Sequence, residues 1–400
     1  MKLSKSLFLA FAGLGLFACS NEDVIDNGAP IDGDAMVSVK INLPRVLEQG
    51  RSGEGGVEAT GETTQTTGET TPLVVNSITV TLHAAAGDKL VQSYTLNGGS
   101  NDFTFSDGKT GTITFTGVRN PQSIEVSVNE GTATALTLDQ INTAGLAAPL
   151  HKIVLTSDID SSDGNGFTWD SDLKKYTAVV TPEPRYARLE ISKISHAAHA
   201  GGESCIFSTA SIAGVFLDNL IGTEGGTVSV NVANDNTIWD KISTEAYASP
   251  TWSAIGANFL ESSAQWPATG YCYAYSLFGD QLPKLVFVID GSTLKFTNNT
   301  VPMPDYKNGN DIYAMVAKYK MDVTKWSDWT TNKEEYKAKY GLDNNGYFTS
   351  FKDGYIYKIS NIAIPDKAWG TTPGGGSDVT VEAVVKVLDW NVVEGTVDWN

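Results

Sequence analysis

The chain has 400 residues, a formal net charge of −18, and charged side chains at only 18% of its positions. This acidic balance argues against a nucleic-acid partner, because binding to phosphates requires a basic face, and it mainly favours solubility. The length allows about two to three domains. Abundant Gly, Thr, Ser, Asn and Val are typical of an extracellular β protein.

The first 19 residues predict export. Lys2 and Lys5 precede an apolar run over residues 7–17, which is too short to span a bilayer because a spanning helix needs about 20 residues. Leu16-Phe17-Ala18-Cys19 resembles a bacterial lipobox, in which the cysteine is acylated and becomes the new N-terminus. We therefore expect residues 1–19 to be a lipoprotein signal peptide, with lipidation at Cys19. An ordinary signal peptide with a chance cysteine is the alternative.

A short strand is predicted after a polar tether over residues 20–34. Its apolar residues alternate with polar ones, as expected for a half-buried strand: Val37, Val39, Ile41 and Leu43. The Gly-, Glu-, Thr- and Ser-rich segment 49–71 cannot bury enough apolar surface to order itself. Arg51 is therefore an open target for an arginine-specific protease. Arg45 is the alternative site, although it follows Pro44 and adjoins the strand.

Strand patterns separated by turn signals dominate the rest of the chain. We expect strands over residues 77–82, 110–115, 123–128, 154–156, 176–180, 187–191, 212–217, 227–232, 271–277, 285–289, 312–317 and 355–359. Helices are expected over residues 138–146 and between Asn332 and Gly341. Pro182-Glu183-Pro184 is the best domain boundary because two prolines favour an extended connector. The pattern predicts two β-sandwiches.

The last strand mirrors the first. After a Gly/Pro linker over residues 370–377, an alternating pattern carries apolar residues on one face and is followed by an aromatic residue: Val379, Val381, Ala383, Val385, Val387 and Trp390. Loss of the first strand by cleavage would open a groove, which the last strand of a second copy could fill by strand addition. The alternative, in which both strands stay permanently in their own sandwiches, remains open from the residues alone.

No convincing catalytic motif is present, and we expect no enzyme activity, cofactor or metal. His196 and His199 are spaced for a shared metal on a helix but have no third ligand. Asp158, Asp160 and Asp163 lack the glycine position and the final glutamate of a calcium loop. Trp326 and Trp329 are the best candidates for stacking on sugars. Cys205 and Cys272 form either one disulfide or two free thiols.

At this point the layout resembles the fimbrillin family, the subunits of type V pili. The resemblance combines features found along nearly the whole chain: the lipobox ending at Cys19, the tether Asn21-Glu22-Asp23, the strand 36–43 followed by an arginine before a Gly-rich stretch, Arg185-Tyr186-Ala187-Arg188-Leu189-Glu190-Ile191, Tyr355-Ile356-Tyr357-Lys358-Ile359, and the tail 379–390. It implies two tandem transthyretin-like β-sandwich domains. It also implies export as a lipoprotein, arginine-specific removal of the first strand and polymerisation by strand exchange.

On this interpretation the chain divides into a signal peptide (1–19), a propeptide with the removable strand (20–51), a first sandwich (52–182) and a second sandwich (183–400) with a donor tail (379–400). The expected function is a structural subunit of a surface fimbria on the outer membrane. Its partners would be other copies, related pilus subunits and surface ligands of host or bacterial origin. A cut site together with a full tail favours a shaft subunit. The alternatives are an anchor or tip subunit, or a surface lipoprotein that binds glycans.

Overall fold

We describe the chain from a computed structural model, which places the following residues: 35–43, 46–47, 58–60, 70–71, 75–84, 88–98, 101–104, 110–130, 135–143, 149–157, 165–197, 207–230, 252–258, 260, 271–297, 311–321, 330–370 and 381–389. Most of them are in β-strands, and the all-β prediction is confirmed. Within these ranges, no helix is both long and apolar enough to cross a bilayer.

The first half of the chain builds two sheets. Its strands are β1 (Ala35–Asn42), β2 (Val46–Leu47), β3 (Glu58–Thr60), β4 (Thr70–Thr71), β5 (Ser77–Ala84), β6 (Lys89–Thr95), β7 (Thr110–Val118), β8 (Pro121–Val128), β9 (Leu150–Leu155), β10 (Gly166–Asp170), β11 (Lys175–Val180) and β12 (Glu183–Pro184). One sheet has the order β10-β11-β1-β7 and the other β12-β9-β8-β5-β6. Alternating residues of both sheets point into one shared core, which is the pattern of a sandwich.

The second half is organised around a long sheet. Its strands are β13 (Ala187–Ile191), β14 (Ile194–His196), β15 (Phe207–Asp218), β16 (Leu220–Ile221), β17 (Val228–Val230), β18 (Trp252–Asn258), β19 (Tyr271–Leu277), β20 (Lys284–Phe296), β21 (Ile312–Met321), β22 (Tyr355–Ile359), β23 (Ile362–Ile364) and β24 (Val381–Asp389). Nine strands join in the order β18-β15-β20-β21-β24-β22-β13-β19-β3. The pairs β14-β23, β16-β17 and β2-β4 form small separate sheets.

Two α-helices are described, α1 (Leu138–Thr143) and α2 (Lys333–Tyr340). Gly341 ends α2 in the left-handed conformation, with φ of 69°, and its N–H bonds to the Lys337 carbonyl. Glycine adopts this conformation without steric cost, which explains why the sequence signal for the helix end is correct. Asn332 occupies the N-cap position but makes no side-chain capping bond.

The predicted strands are all found, with ends shifted by up to seven residues, whereas ten strands were not predicted. The missed strands are β2, β3, β4, β6, β10, β12, β14, β16, β18 and β23. Strand β6 lies at a sheet edge, where both faces are largely exposed and the apolar alternation is weak. The connector at Pro182-Glu183-Pro184 is extended as expected, but β12 within it pairs with β9, so the first half's sheet continues through Pro184.

Strand β1 should contribute strongly to the stability of the untrimmed chain. We expect Ile41→Ala to lower the free energy of unfolding by about 2–5 kcal/mol, because the Ile41 side chain is 0% exposed and its loss leaves a cavity. Met36→Ala is the matched control, since Met36 lies on the other face of the same strand and is 39% exposed; it should cost less than about 0.5 kcal/mol. Urea unfolding of the precursor measures both, and equal losses would contradict the assignment of the buried face.

Candidate functional site

The first candidate site is the slot that β1 occupies. β1 runs antiparallel to β7 and parallel to β11, so Val39 lies opposite Ile113 on one side and Ala178 on the other. Val37, Val39 and Ile41 are fully buried. The strand predicted from alternation over residues 37–43 is therefore a central strand of the sheet, and its removal would leave two unpaired strand edges and an apolar groove.

Strand β7 depends on β1 for its place in this sheet. In the order β10-β11-β1-β7, β7 is the edge strand, and its ladder within the described sheet is with β1. A side-chain hydrogen bond from Gln92 Nε2 to the Thr114 carbonyl, 3.0 Å long, also reaches β7. The side chains of Ile113 and Phe115 are buried in the core. Loss of β1 would thus remove the backbone pairing of β7 and leave its side-chain packing.

The second candidate site is the slot that β24 occupies in the nine-stranded sheet. β24 runs parallel to β21 and antiparallel to β22. The register places Val385 opposite Met321 and Ile359, and Val387 opposite Tyr357, and these three neighbours are buried. The last predicted strand is thus found as β24, over Val381–Asp389, and it too is a central strand.

The two slots share one arrangement of backbone directions. Each terminal strand lies between one parallel and one antiparallel neighbour. The two neighbours of each slot therefore run in opposite directions, and any strand that fills either slot makes one parallel and one antiparallel ladder. A β24 segment that left its own sheet could therefore enter a β1 slot with both of its edges paired in the same way.

The chain just before the tail is firmly anchored. Gly370 exchanges two backbone hydrogen bonds with Tyr313, each 2.8 Å long, and the neighbouring Trp369 side chain is buried. Asp366, four residues before Gly370, is buried, and its Oδ1 lies 2.6 Å from His196 Nε2. These contacts fix the point from which the tail begins.

The connection from this anchor to β24 is much longer than its span requires. Val381 pairs with Val316, three residues along β21 from Tyr313, and three residues of a strand cover about 10 Å. The chain from Gly370 to Val381 contains eleven peptide units, which can reach about 36–40 Å when extended. The excess length would allow the tail to leave its slot while the anchor stays in place.

The two halves meet at a hydrogen-bonded joint. The Asn142 side chain in α1 accepts from the Ser276 N–H at 2.9 Å and donates to the Ser276 carbonyl at 2.8 Å, as a neighbouring strand would. Residues 136–138 pair with residues 222–224 by backbone bonds. Arg185 bonds to Glu130 from the first half and to Glu224 from the second. Although burial acts to lower it, these two carboxylates raise the pKa of Arg185.

The carboxylate of Asp353 lies near the same joint. Partial loss of solvation, together with the charges of Asp280 and Glu224, raises its pKa to about 6 against a hydrogen bond from the Gly279 N–H. That bond is 2.7 Å long. A side chain at Gly279 would collide with Asp353 Oδ1 and the Phe351 carbonyl, so glycine is required for this close approach.

Several predicted site residues lie outside the described part of the chain. These are Cys19, Arg45, Arg51, Cys205, Asp158, Asp160, Asp163, His199, Trp326, Trp329, Val379 and Trp390. His196 is in β14 rather than on a helix, and it bonds to Asp366. Among the described residues, no group of three or more His, Cys, Asp or Glu is arranged to hold a metal ion.

Sequence reasoning missed the joint. Asn142 was inside a predicted helix, and nothing in its neighbours indicates that its amide faces a strand 134 residues away. Arg185 was noted only as part of the resemblance. A sharper signal was available in its position: an arginine directly after the Pro-Glu-Pro connector is well placed to pair with acidic groups from both halves.

Comparison with known proteins finds similar folds among solved structures. No family model and no curated protein matches this sequence. A candidate cell adhesion protein from Bacteroides eggerthii is 12% identical with a TM-score of 0.45, covering 91% of this chain and 98% of that one. A second, from Parabacteroides distasonis, is 13% identical with a TM-score of 0.43, covering 91% and 100%. A fimbrilin from Porphyromonas gingivalis W83 is 12% identical with a TM-score of 0.40, covering 91% and 99%.

Asp353 should make stability depend on pH. Its pKa is about 6 in the folded chain against an ordinary value of 3.8, so the folded state binds the extra proton and stability falls as the pH rises between these values. Because the residue is exposed and solvent screens its interactions, the loss should be about 1 kcal/mol or less. We expect Asp353→Asn to remove this fall, because the amide oxygen can still accept from Gly279 without carrying charge. Urea midpoints from pH 4 to pH 7.5 provide the test, and parallel profiles for both proteins would contradict it.

Proposed function

We propose that the chain is a structural subunit of a surface fimbria or pilus that polymerises by protease-triggered strand exchange and supports adhesion. The precursor is exported through the periplasm as a lipoprotein acylated at Cys19 and held at the outer membrane. Cleavage after Arg51, with Arg45 as the alternative, releases the segment that carries β1. The tail over residues 379–400 of a second copy, or of a related subunit, then enters the empty groove.

The observation that carries this proposal is the central position of both terminal strands. β1 and β24 are the first and last described strands of the chain, and each is central in its sheet. Both have one parallel and one antiparallel neighbour. The exchange therefore replaces one central strand by another that makes the same two kinds of ladder.

The free energy of side-chain burial favours entry of a donor strand into the emptied groove. Burial of the side chains of Val37, Val39 and Ile41 in β1 and of Leu43 just after it contributes roughly 6–12 kcal/mol, at about 1.5–3 kcal/mol each. An emptied groove exposes this apolar surface and two ladder edges, which is a template for strand pairing. The donor sequence offers Val381, Ala383, Val385 and Val387 at alternate positions, which matches the two-residue period of the groove.

The full tail supports a role in the shaft. A subunit that both opens a groove and provides a donor strand can have a neighbour at each end, so copies can follow one another without limit. An anchor subunit would keep its lipid and β1, and a tip subunit would lack a donating tail. The fimbrillin resemblance of the sequence agrees with this assignment.

A reversible lock on the tail tests the exchange without truncating the fold. Lys358 and Lys386 are directly opposite in the antiparallel β22-β24 pair, where Cβ atoms approach closely enough for a disulfide. We expect Lys358→Cys/Lys386→Cys, in a background with Cys205→Ser and Cys272→Ser, to stay monomeric after trimming when oxidised. After reduction it should form SDS-resistant ladders on gels.

The single variants Lys358→Cys and Lys386→Cys are the matched controls and should form ladders under both conditions. Ladders from the oxidised double variant would rule out β24 as the donor. N-terminal sequencing of protein taken from cells checks the processing step separately, and the expected start is Ser52. A chain that keeps Cys19 and an acyl group would instead indicate an anchor subunit or a glycan-binding lipoprotein.

A further inference from the structure

Arginine is scarce in this chain and unevenly placed. Five of the 28 basic residues are arginines and 23 are lysines. Two arginines, Arg45 and Arg51, lie in the sequence between β1 and β5, and the remaining three are Arg119, Arg185 and Arg188. Residues 189–400 contain 15 lysines and no arginine. An enzyme that cleaves only after arginine thus has three sites beyond Arg51.

Two of these three arginines are locked in the fold. The Arg188 side chain is 3% exposed, and its Nε lies 2.7 Å from Oε1 of the fully buried Glu190. Arg185 is 24% exposed and bonds to Glu130 and Glu224 across the joint. Both lie at the start of the buried second sheet, and Arg188 is within β13, which is paired on both sides. Neither can enter a protease cleft without extensive unfolding.

Arg119 is different, because it is exposed and its protection depends on β1. It follows the last residue of β7, and with Asn120 it forms the two-residue turn before β8 begins at Pro121. Asn120 has φ of 43°, so the turn is tight. A protease binds an extended segment of several residues, and here the residues on the N-terminal side are tied into the ladder between β7 and β1.

We propose that Arg119 is a conditional cleavage site, shielded while the groove is filled and cut by the same arginine-specific endopeptidase while the groove is empty. This inference rests on the proposed function. Water adds to the Arg119–Asn120 peptide bond, giving a carboxylate on Arg119 and a free amine on Asn120. The enzyme that opens the groove would then also destroy subunits that fail to receive a donor strand.

The reason lies in the sheet order. β7 is an edge strand whose described ladder is with β1. When β1 leaves, β7 loses this pairing, and the chain before Arg119 is free to leave the sheet edge as an extended segment. A donor strand in the slot restores the same pairing. A lysine at position 119 would not be cut, because an arginine-specific protease recognises the planar guanidinium. A guanidinium can make two hydrogen bonds to one carboxylate of the enzyme, which an ammonium cannot.

The test compares three states of the full chain with a purified endopeptidase that cleaves only after arginine. In Arg45→Lys/Arg51→Lys, β1 cannot be released. In the wild-type chain it is released after the first cut. In the third state the wild-type chain is treated in the presence of excess synthetic peptide 379–400. Mass spectrometry follows the fragment that begins at Asn120.

We expect Arg119 to be cut at least tenfold faster in the wild-type chain than in Arg45→Lys/Arg51→Lys, and only after the cut at Arg51. The peptide should restore protection. Arg119→Lys should abolish the fragment and leave ladder formation unchanged. Equal cutting of Arg119 with β1 retained, or first cutting at Arg185 or Arg188, would overturn the inference. Ladder formation is read independently, so failure of strand exchange is distinguished from failure of this site.

Discussion

The double ladder made by β1 is the interaction on which the first sandwich depends. β1 is the only link between β7 on one side and the β10-β11 pair on the other within the described four-stranded sheet. Its inward side chains also fill the core between the two sheets. A segment near the N-terminus, set off from the body by a polar stretch, thus holds a central position. The centre of a sheet is an unusual position for a segment that is removed by cleavage. This position explains why the removal of β1 would create both a groove and unpaired strand edges.

The directions of the strands set the form of any assembly. A donor strand pairs along its length with both neighbours of the slot, so the direction in which it lies fixes the orientation of its subunit relative to the next. The groove lies in the first half of the chain and the tail leaves from the second half. Such a contact is head-to-tail, and head-to-tail contacts produce open filaments unless the rotation between subunits closes a ring. The polymer expected from this geometry is therefore a fibre.

The sequence predicted the elements better than their partners. Alternation of apolar residues identified β1, whose alternate side chains are buried, and also β24, and Gly341 marked the end of α2 because the left-handed position favours glycine. Strand order could not be predicted, since the same alternation fits an edge or a central strand. The joint was also hidden, because Asn142 and Ser276 meet only through the fold. The residues at Cys19 and Arg51 remain predictions from local pattern.

The joint between the halves acquires a mechanical role in the proposed fibre. Tension would enter a subunit through the strand in its groove and leave through its own tail, which is anchored at Gly370. Every subunit would carry this load across the contacts of Asn142 and Arg185. The Asn142 amide bonds to a backbone donor and a backbone acceptor that would otherwise be buried without partners. Leaving these two groups unpaired would cost more free energy than breaking a hydrogen bond at the surface. A joint built from backbone pairing, a buried amide and a two-carboxylate arginine therefore resists separation better than apolar contact alone, because its hydrogen bonds must break together.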